Sequence, residues 1–290
     1  MFKSSKFFLF TLLLIAISMA ILVSGCGRNG GKAIQIKGSD TMVNLGQAWV
    51  EAFMKTHPEL PIAVTGGGSG TGIAALLEGS TDIAQSSRAM EPKEFEMAKK
   101  KGIDPKVFHV ANDGIAVVVN PSNPINKLTI KQLSDIFTGK IVNWKEVGGP
   151  DKSIVVLSRE RNSGTHVFFL ESIVKMGDKK SKNEFAAKVL MMPSSQAIVE
   201  EVSSNPSSIG YFGLGYLTSK EKDVAVAKDV NSPAISPTVK TVLNKTYPIS
   251  RSLLFYTNGK PSAKTKSFID FVLSPEGQKI VLKMDFVPIQ

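Results

Sequence analysis

An α/β fold is predicted for this 290-residue chain, and two observations predict it. Short β-rich runs alternate with amphipathic helical runs, the order that builds a largely parallel sheet covered by helices. One run, residues 114–120, is apolar almost without interruption, as expected of a strand buried on both faces. Taken in order, residues 33–37 read as the first strand, with Ile34 and Ile36 either side of Gln35. Residues 42–55 place Leu45, Trp49, Ala52 and Phe53 on one helical face, and Pro58 ends that region. Residues 61–65 are a second strand, 73–78 a short helix closed by Gly79, and 83–84 a brief strand leading into Ser86-Ser87-Arg88. A helix over 92–101 starts on Pro92 and stops at Gly102. Pro121 and Pro124 end the apolar strand. A helix over 130–137, a strand over 154–158 and helices over 166–175, 183–190 and 194–203 follow, with Asn205-Pro206 breaking the last. Residues 209–212 and 250–256 are late strands, and 263–273 and 275–283 the closing helices.

The first 25 residues are read as a signal segment rather than part of the fold. Lys3 and Lys6 precede an apolar stretch over 7–23, the order of a secretory signal. The stretch is long enough to span a membrane, so an uncleaved anchor is the competing reading. Val23-Ser24-Gly25-Cys26 resembles a bacterial lipobox, which favours cleavage and lipidation of Cys26. Residues 26–32, with Asn29-Gly30-Gly31, then form a short flexible tether. Cys26 is the sole cysteine, so no intrachain disulfide can form. Either reading puts the globular part outside the cytoplasm, held at the membrane by its N-terminus alone.

The remaining chain of about 260 residues suffices for one large or two medium domains. The formal charge is +10, two of which leave with Lys3 and Lys6. The lysines are dispersed and lack interleaved aromatics, which argues against nucleic acid and for a solvated surface facing anionic polymers. The three histidines, His57, His109 and His166, have no metal-ligand spacing, and no cofactor motif occurs.

Three Gly/Ser/Thr turns each open into an amphipathic run: Gly38-Ser39-Asp40-Thr41, Gly68-Ser69-Gly70-Thr71-Gly72 and Asn162-Ser163-Gly164-Thr165. A helix start carries unpaired N–H groups and partial positive charge, small residues let an anion approach, and hydroxyls add donors. Arg159 and Arg161 precede the third turn. Three such turns with an arginine point to a site that wraps a small tetrahedral oxyanion. Singly, Ser39 and Ser163 are better explained as helix N-caps, and it is the three turns together that favour the oxyanion site.

These turns, together with the run Leu133-Ser134-Asp135-Ile136-Phe137-Thr138-Gly139-Lys140, Asn143-Trp144 and the tail Ser274-Pro275-Glu276-Gly277-Gln278, resemble the extracytoplasmic phosphate-binding lipoproteins of ABC transporters. The resemblance covers nearly everything after Cys26. It implies a two-lobed periplasmic-binding-protein-like fold with two hinge-strand crossings, near 111–119 and 248–255. Residues 33–112 plus 250–290 would form lobe 1, and 113–249 lobe 2. It also implies that inorganic phosphate is held in the cleft and passed to an ABC permease served by its ATPase. Membrane contact through the lipid anchor only, and a monomer, are expected.

From the same resemblance, Ser39, Asp40 and Thr41 line the site from the first turn, Ser69 and Gly70 from the second, and Ser163, Gly164 and Thr165 from the third. Arg159 matches the family's arginine; Arg161 does not fall on that position and reads as a surface residue. Where some members carry an aspartate that accepts the ligand's proton, this chain has Ser87, followed by Arg88. Ser87 is expected to contact the ligand, and Arg88 either adds a second cation or braces the cleft rim. The proton acceptor is open between Asp40 and Asp82, so sulfate or tungstate stands as an alternative ligand. A signalling or adhesion lipoprotein on the same scaffold is the other alternative. An enzyme is not expected: Ser69 lacks the last glycine of a nucleophile elbow, and His166 follows Ser163 along one helix, a poor geometry for a base.

Overall fold

The computed structural model describes residues 32–289, so the signal segment and Cys26 lie outside the described residues. In chain order the elements are β1 (Ile34–Gly38), α1 (Val43–Thr56), β2 (Ile62–Gly67), α2 (Ser69–Leu77), β3 (Ile83–Ser86), α3 (Pro92–Lys100) and β4 (Pro105–Val119). Next come β5 (Lys127–Thr129), α4 (Ile130–Phe137), β6 (Val155–Arg159), α5 (Gly164–Phe169), β7 (Leu190–Met192), α6 (Ser195–Ser204) and β8 (Ser208–Gly213). Last are β9 (Lys222–Asp223), β10 (Ala225–Ala227), α7 (Val239–Leu243), β11 (Ser250–Asn258), α8 (Ala263–Leu273) and α9 (Pro275–Lys283).

Nine strands share one sheet, in the order β2-β1-β3-β11-β4-β8-β6-β7, with β9 also on β4. β1 pairs in parallel with β2 and β3, while β6 pairs in parallel with β8 and β7. The two parallel groups are joined by β4 and β11. β4 runs antiparallel to β11 from Asn258↔Pro105 to Ser250↔Gly114, with a bulge at Leu253/Leu254. It then continues antiparallel to β8 from Ile115↔Gly213 to Val119↔Ile209. One long strand therefore serves both groups, and its first half was not visible in the apolar run at 114–120, because Pro105, Lys106 and His109 interrupt the pattern.

The core divides where β4 changes partner. Trp49, Phe53, Ile83, Ala111, Phe255, Phe268 and Phe286 pack on one side. Ile115, Val117, Phe137, Trp144, Phe169, Tyr211 and Tyr247 pack on the other. Trp49 is fully buried on α1, and its indole N–H donates to the Gly277 carbonyl on α9 at 2.9 Å. Loss of that side chain would cost about 3–5 kcal/mol, the range for a large aromatic removed from a core. Across the divide, the rings of Phe169 and Tyr211 stack with centroids 3.7 Å apart.

Three expectations are corrected. The helix expected at 73–78 begins at Ser69, because the Ser69-Gly70-Thr71-Gly72 run after the N-cap Gly68 is itself helical. The helix expected at 166–175 runs as α5 over Gly164–Phe169 and widens to a π-turn over Leu170–Val174. No helix forms at 183–190. There Phe185 lodges against His166, Phe137 and Phe169, and the Ala186 N–H donates to the Phe137 carbonyl at 2.9 Å. Docking on the core wins over local propensity.

Candidate functional site

The three Gly/Ser/Thr turns meet between the two cores. β1 ends at Gly38, whose φ is +141° and whose Cβ, if present, would fall 2.1 Å from the Gln85 carbonyl oxygen. Only glycine permits that approach. It lets Gln85 of β3 bracket Ser39, accepting from its N–H at 2.8 Å and donating its side-chain amide to its carbonyl at 3.0 Å. The single turn that follows carries Asp40 and Thr41 inward.

Ser69 opens α2, and its Oγ accepts from the Ser87 N–H at 3.0 Å and lies 3.3 Å from the Ser87 Oγ. The Gly70 N–H donates to the Asn162 carbonyl at 2.9 Å, which ties the second turn to the third. Ser163 is the N-cap of α5, accepting from the N–H groups of Thr165 and His166 at 3.2 and 3.4 Å. The capping reading of Ser163 therefore holds, whatever else it does. Gly164 faces Ser69 and Ser87 directly: a Cβ there would sit 2.3 Å and 2.7 Å from their Oγ atoms. Thr41 and Thr165 touch through their hydroxyls at 2.9 Å, although they stand 124 residues apart. Ser39, Thr41, Ser69, Ser87, Ser163 and Thr165 are all buried.

The arginines divide differently from expectation. Arg159, at the end of β6, is in the cluster and buried, but its guanidinium is engaged by protein. Nη1 donates to Asp40 Oδ2 at 2.9 Å and to Ser195 Oγ at 3.1 Å, Nη2 to the Pro193 carbonyl at 3.0 Å, and Nε to the Met192 carbonyl at 3.3 Å. Asp40 Oδ2 also accepts from the Ser195 N–H at 2.8 Å, so this carboxylate crosses from one core to the other. Arg88 is a brace: Nη1 and Nη2 each donate to a different oxygen of Glu94 at 2.7 Å. That bidentate pair commits both terminal nitrogens of Arg88 to Glu94. Arg161 is exposed, as expected. Asp82 is exposed too and accepts from the Gln35 N–H at 2.8 Å, a structural use that removes it as a proton acceptor in the cleft.

Sequence reasoning missed Arg251 and Asp113, register partners on β11 and β4. Arg251 Nε and Nη2 donate to Asp113 Oδ2 at 3.1 and 2.9 Å. Nη2 also reaches the hydroxyls of Thr41 and Thr165, at 3.2 and 3.0 Å. Burial pushes the Asp113 carboxyl up and is opposed by Arg251; burial likewise lowers Arg251, opposed by Asp113. The signal was present as an arginine in one expected strand and an aspartate at the mouth of another, since buried charges are almost always paired.

Burial, with smaller contributions from the Arg161 and Arg159 charges, lowers His166 to about 4, so its ring is neutral. Its Nδ1 lies 3.1 Å from Ser158 Oγ, which in turn lies 2.6 Å from the Tyr211 hydroxyl. The ring is thus spent on Ser158 and is not paired with Ser163 as base to nucleophile. Among the described residues no cluster of three potential metal ligands occurs, and no helix is long and apolar enough to cross a membrane. What the site offers is a dense set of buried hydroxyls, N–H groups and two guanidiniums, suited to an acceptor-rich anion.

Residues 27–276 match the family model described as PBP superfamily domain. The chain is 32% identical to the phosphate-binding protein PstS of Pseudomonas aeruginosa, over 87% of this chain and 81% of that one. It is 31% identical to the phosphate-binding protein PstS of Bacillus subtilis, over 96% and 93%. A Clostridium perfringens phosphate ABC transporter substrate-binding protein, solved with bound phosphate, superposes with a TM-score of 0.80 at 35% identity, covering 89% of this chain and 100% of that one. An ABC-type phosphate transport receptor of Vibrio cholerae superposes with a TM-score of 0.69 at 32% identity, covering 88% and 99%. The fold is the two-lobed α/β type of these binding proteins.

Proposed function

Since this chain belongs to the PstS phosphate-binding family of the PBP superfamily, we propose that it is a receptor, not an enzyme, which closes two lobes around one inorganic phosphate and delivers it to an ABC permease. The observation that carries the reading is the meeting of Thr41 and Thr165, from helix starts in different cores, at one buried point beside Arg251. Residues 33–112 plus 250–290 act as one lobe and 113–249 as the other, with β4 and β11 as the hinge. Closure excludes water, which strengthens each contact to a multiply accepting anion. Ser39, Asp40, Thr41, Ser69, Gly70, Ser87, Arg159, Ser163, Gly164 and Thr165 line the ligand, with Asp40 releasing Arg159 toward it.

Sulfate is the second reading, and a specific observation favours it. The two carboxylates nearest the cluster, Asp40 and Asp113, are both held by arginines, and Ser87 stands where an acid would accept the phosphate proton. A site without a free acceptor discriminates less against a fully deprotonated anion. Outside the cleft, we assign Cys26 as the lipidated N-terminus of a monomer anchored on the outer face of the cell membrane, after removal of 1–25.

Calorimetry on the purified full chain with phosphate, sulfate and tungstate tests the ligand. Saturable 1:1 phosphate binding supports the receptor, stronger sulfate binding moves the assignment to the second reading, and silence with all three overturns both. A wild-type chain that takes up no labelled fatty acid in growing cells, or that keeps residues 1–25, would overturn the anchor.

A further inference from the structure

We propose that Arg251, oriented by Asp113, is a second guanidinium of the oxyanion site, reaching the ligand from hinge strand β11 rather than from a helix start. The inference rests on the oxyanion reading above and adds to it a contact residue and a direction of recognition.

The argument is a count of donors. Arg251 is buried, and its Nε and Nη2 face Asp113. Its Nη1, on the same carbon as Nη2, is buried and has no hydrogen-bond partner among the described residues. Leaving a buried donor of a charged group unsatisfied carries its full desolvation penalty. An arginine kept only to neutralise Asp113 could be expected to turn that nitrogen to a carbonyl, as Arg159 does with Nη2 on Pro193. The hydroxyls add to the excess. Thr41 and Thr165 each accept from Arg251 Nη2, and their mutual contact consumes one hydroxyl proton. The other hydroxyl proton has no acceptor among the described residues. Two N–H groups and one O–H thus gather at a buried point shared by both lobes.

A donor surplus of that kind suits an acceptor-only partner, which a deprotonated oxyanion oxygen is. Asp113 takes Arg251 Nε and Nη2 on Oδ2 and the Leu214 N–H on Oδ1 at 3.0 Å, and Nη1 makes no bond to it. Asp113 instead fixes the fork, and the Phe168 ring supports it 5.6 Å from the guanidinium carbon. Arg251 therefore meets an unprotonated oxygen of the ligand. Its strand position ties ligand contact to the hinge, since Arg251 and Asp113 are cross-strand partners on β11 and β4.

The test uses two variants and one complex of the purified full chain. Arg251→Lys keeps the charge opposite Asp113 but loses the fork; Arg251→Met with Asp113→Asn removes both charges and leaves no buried carboxylate unpaired. Each folded variant is expected to bind inorganic phosphate at least about tenfold more weakly than wild type, the loss typical of a charge-assisted bond. In a crystal of wild type with phosphate, Nη1 is expected within about 2.7–3.2 Å of a phosphate oxygen. Should the variants fail to fold, that distance decides alone. Wild type binding phosphate while both variants bind equally well, or Nη1 pointing away from the anion, removes Arg251 from the site and leaves the receptor reading intact. Wild type failing to bind phosphate overturns the receptor reading and this inference with it.

Discussion

Arg159 and Arg251 belong to the same buried cluster, yet they are used in opposite ways. Arg159 sits at the C-terminal end of a parallel strand, where the chain turns toward α5, and every nitrogen of its guanidinium has a protein acceptor. Those acceptors include Asp40 of the other core, so Arg159 holds the two sides together. Arg251 sits inside the antiparallel pair that joins the cores, is anchored by its own cross-strand partner, and has one nitrogen without a partner among the described residues. The difference separates two jobs that a closing cleft requires. On the function proposed above, Arg159 would exchange between the Asp40 carboxylate and the ligand, and so could report closure. The other is fixed in advance by a buried carboxylate, which limits the reorganisation needed when the anion arrives.

The strongest way to break this comparison is to stop the lobes from meeting, because both arginines then lose their purpose together. Gly164→Ala should do so. Gly164 is the first residue of α5 and its φ is not in the positive range, so alanine suits the local backbone. Its Cβ would nonetheless lie 2.3 Å from Ser69 Oγ and 3.0 Å from Ser69 Cβ. Overpacking of that kind costs about 1–3 kcal/mol, or roughly five- to 150-fold in closed-state binding. Calorimetry should find phosphate affinity reduced by that factor, with thermal stability of the ligand-free chain unchanged. Unchanged affinity would mean that the ligand does not need this contact.

Arg159→Ala comes next. Removing an exchangeable charge-assisted contact should weaken phosphate binding by at least about tenfold. Asp40→Asn should weaken it less, because the amide oxygen still accepts from the Ser195 N–H. If Asp40→Asn proves the more damaging of the two, Arg159 is a lobe clamp only and the exchange described above is wrong.

Arg88 sharpens the comparison from outside, as a guanidinium held by Glu94 and given no ligand contact in the proposed site. Arg88→Met strands the buried Glu94 carboxylate and should destabilise the chain by about 3 kcal/mol, the cost of breaking a buried pair. Phosphate affinity of the folded fraction should stay within about twofold. Denaturant unfolding and calorimetry on the same sample separate the two effects, and a tenfold affinity loss would return Arg88 to the site.

How much of this was legible in the sequence depends on where each residue sits. The three turns stood out because Gly, Ser and Thr cluster where helices begin, and the helix starts built from them do meet in space. Arg159 was legible through its spacing from Ser163. Its pairing with Asp40 was not, since that partner is 119 residues away. Arg251 and Asp113 were passed over because a single charge inside an apolar strand gives no periodic signal; only their register across β4 and β11 makes sense of both. The partner of Arg88 was not legible either: Glu94 lies six residues on, in the first turn of α3, and nothing in its spacing marks it as buried. The 183–190 segment has helical composition, but the docking of Phe185 on His166 decides its path.

The smallest expected effect belongs to Arg161, which lies two residues from Arg159 and yet on the surface. Arg161→Ala should leave phosphate affinity within about twofold, as an exposed charge contributes little to a contact it does not make. A larger loss would mean that Arg161, not Arg159, faces the ligand. The variant should still be visible through His166, which burial chiefly, and Arg161 in part, lowers from 6.5 to about 4. A histidine depressed in the folded chain is protonated first in the unfolded one. Its contribution to stability is therefore complete above about pH 6.5 and is lost as the pH falls toward 4. Without the Arg161 charge, the His166 midpoint followed by NMR should rise, and the acid loss of stability should be smaller. An unmoved midpoint would show that Arg161 is fully screened by solvent at this distance, and that burial with the Arg159 charge keeps the ring beside Ser158 neutral.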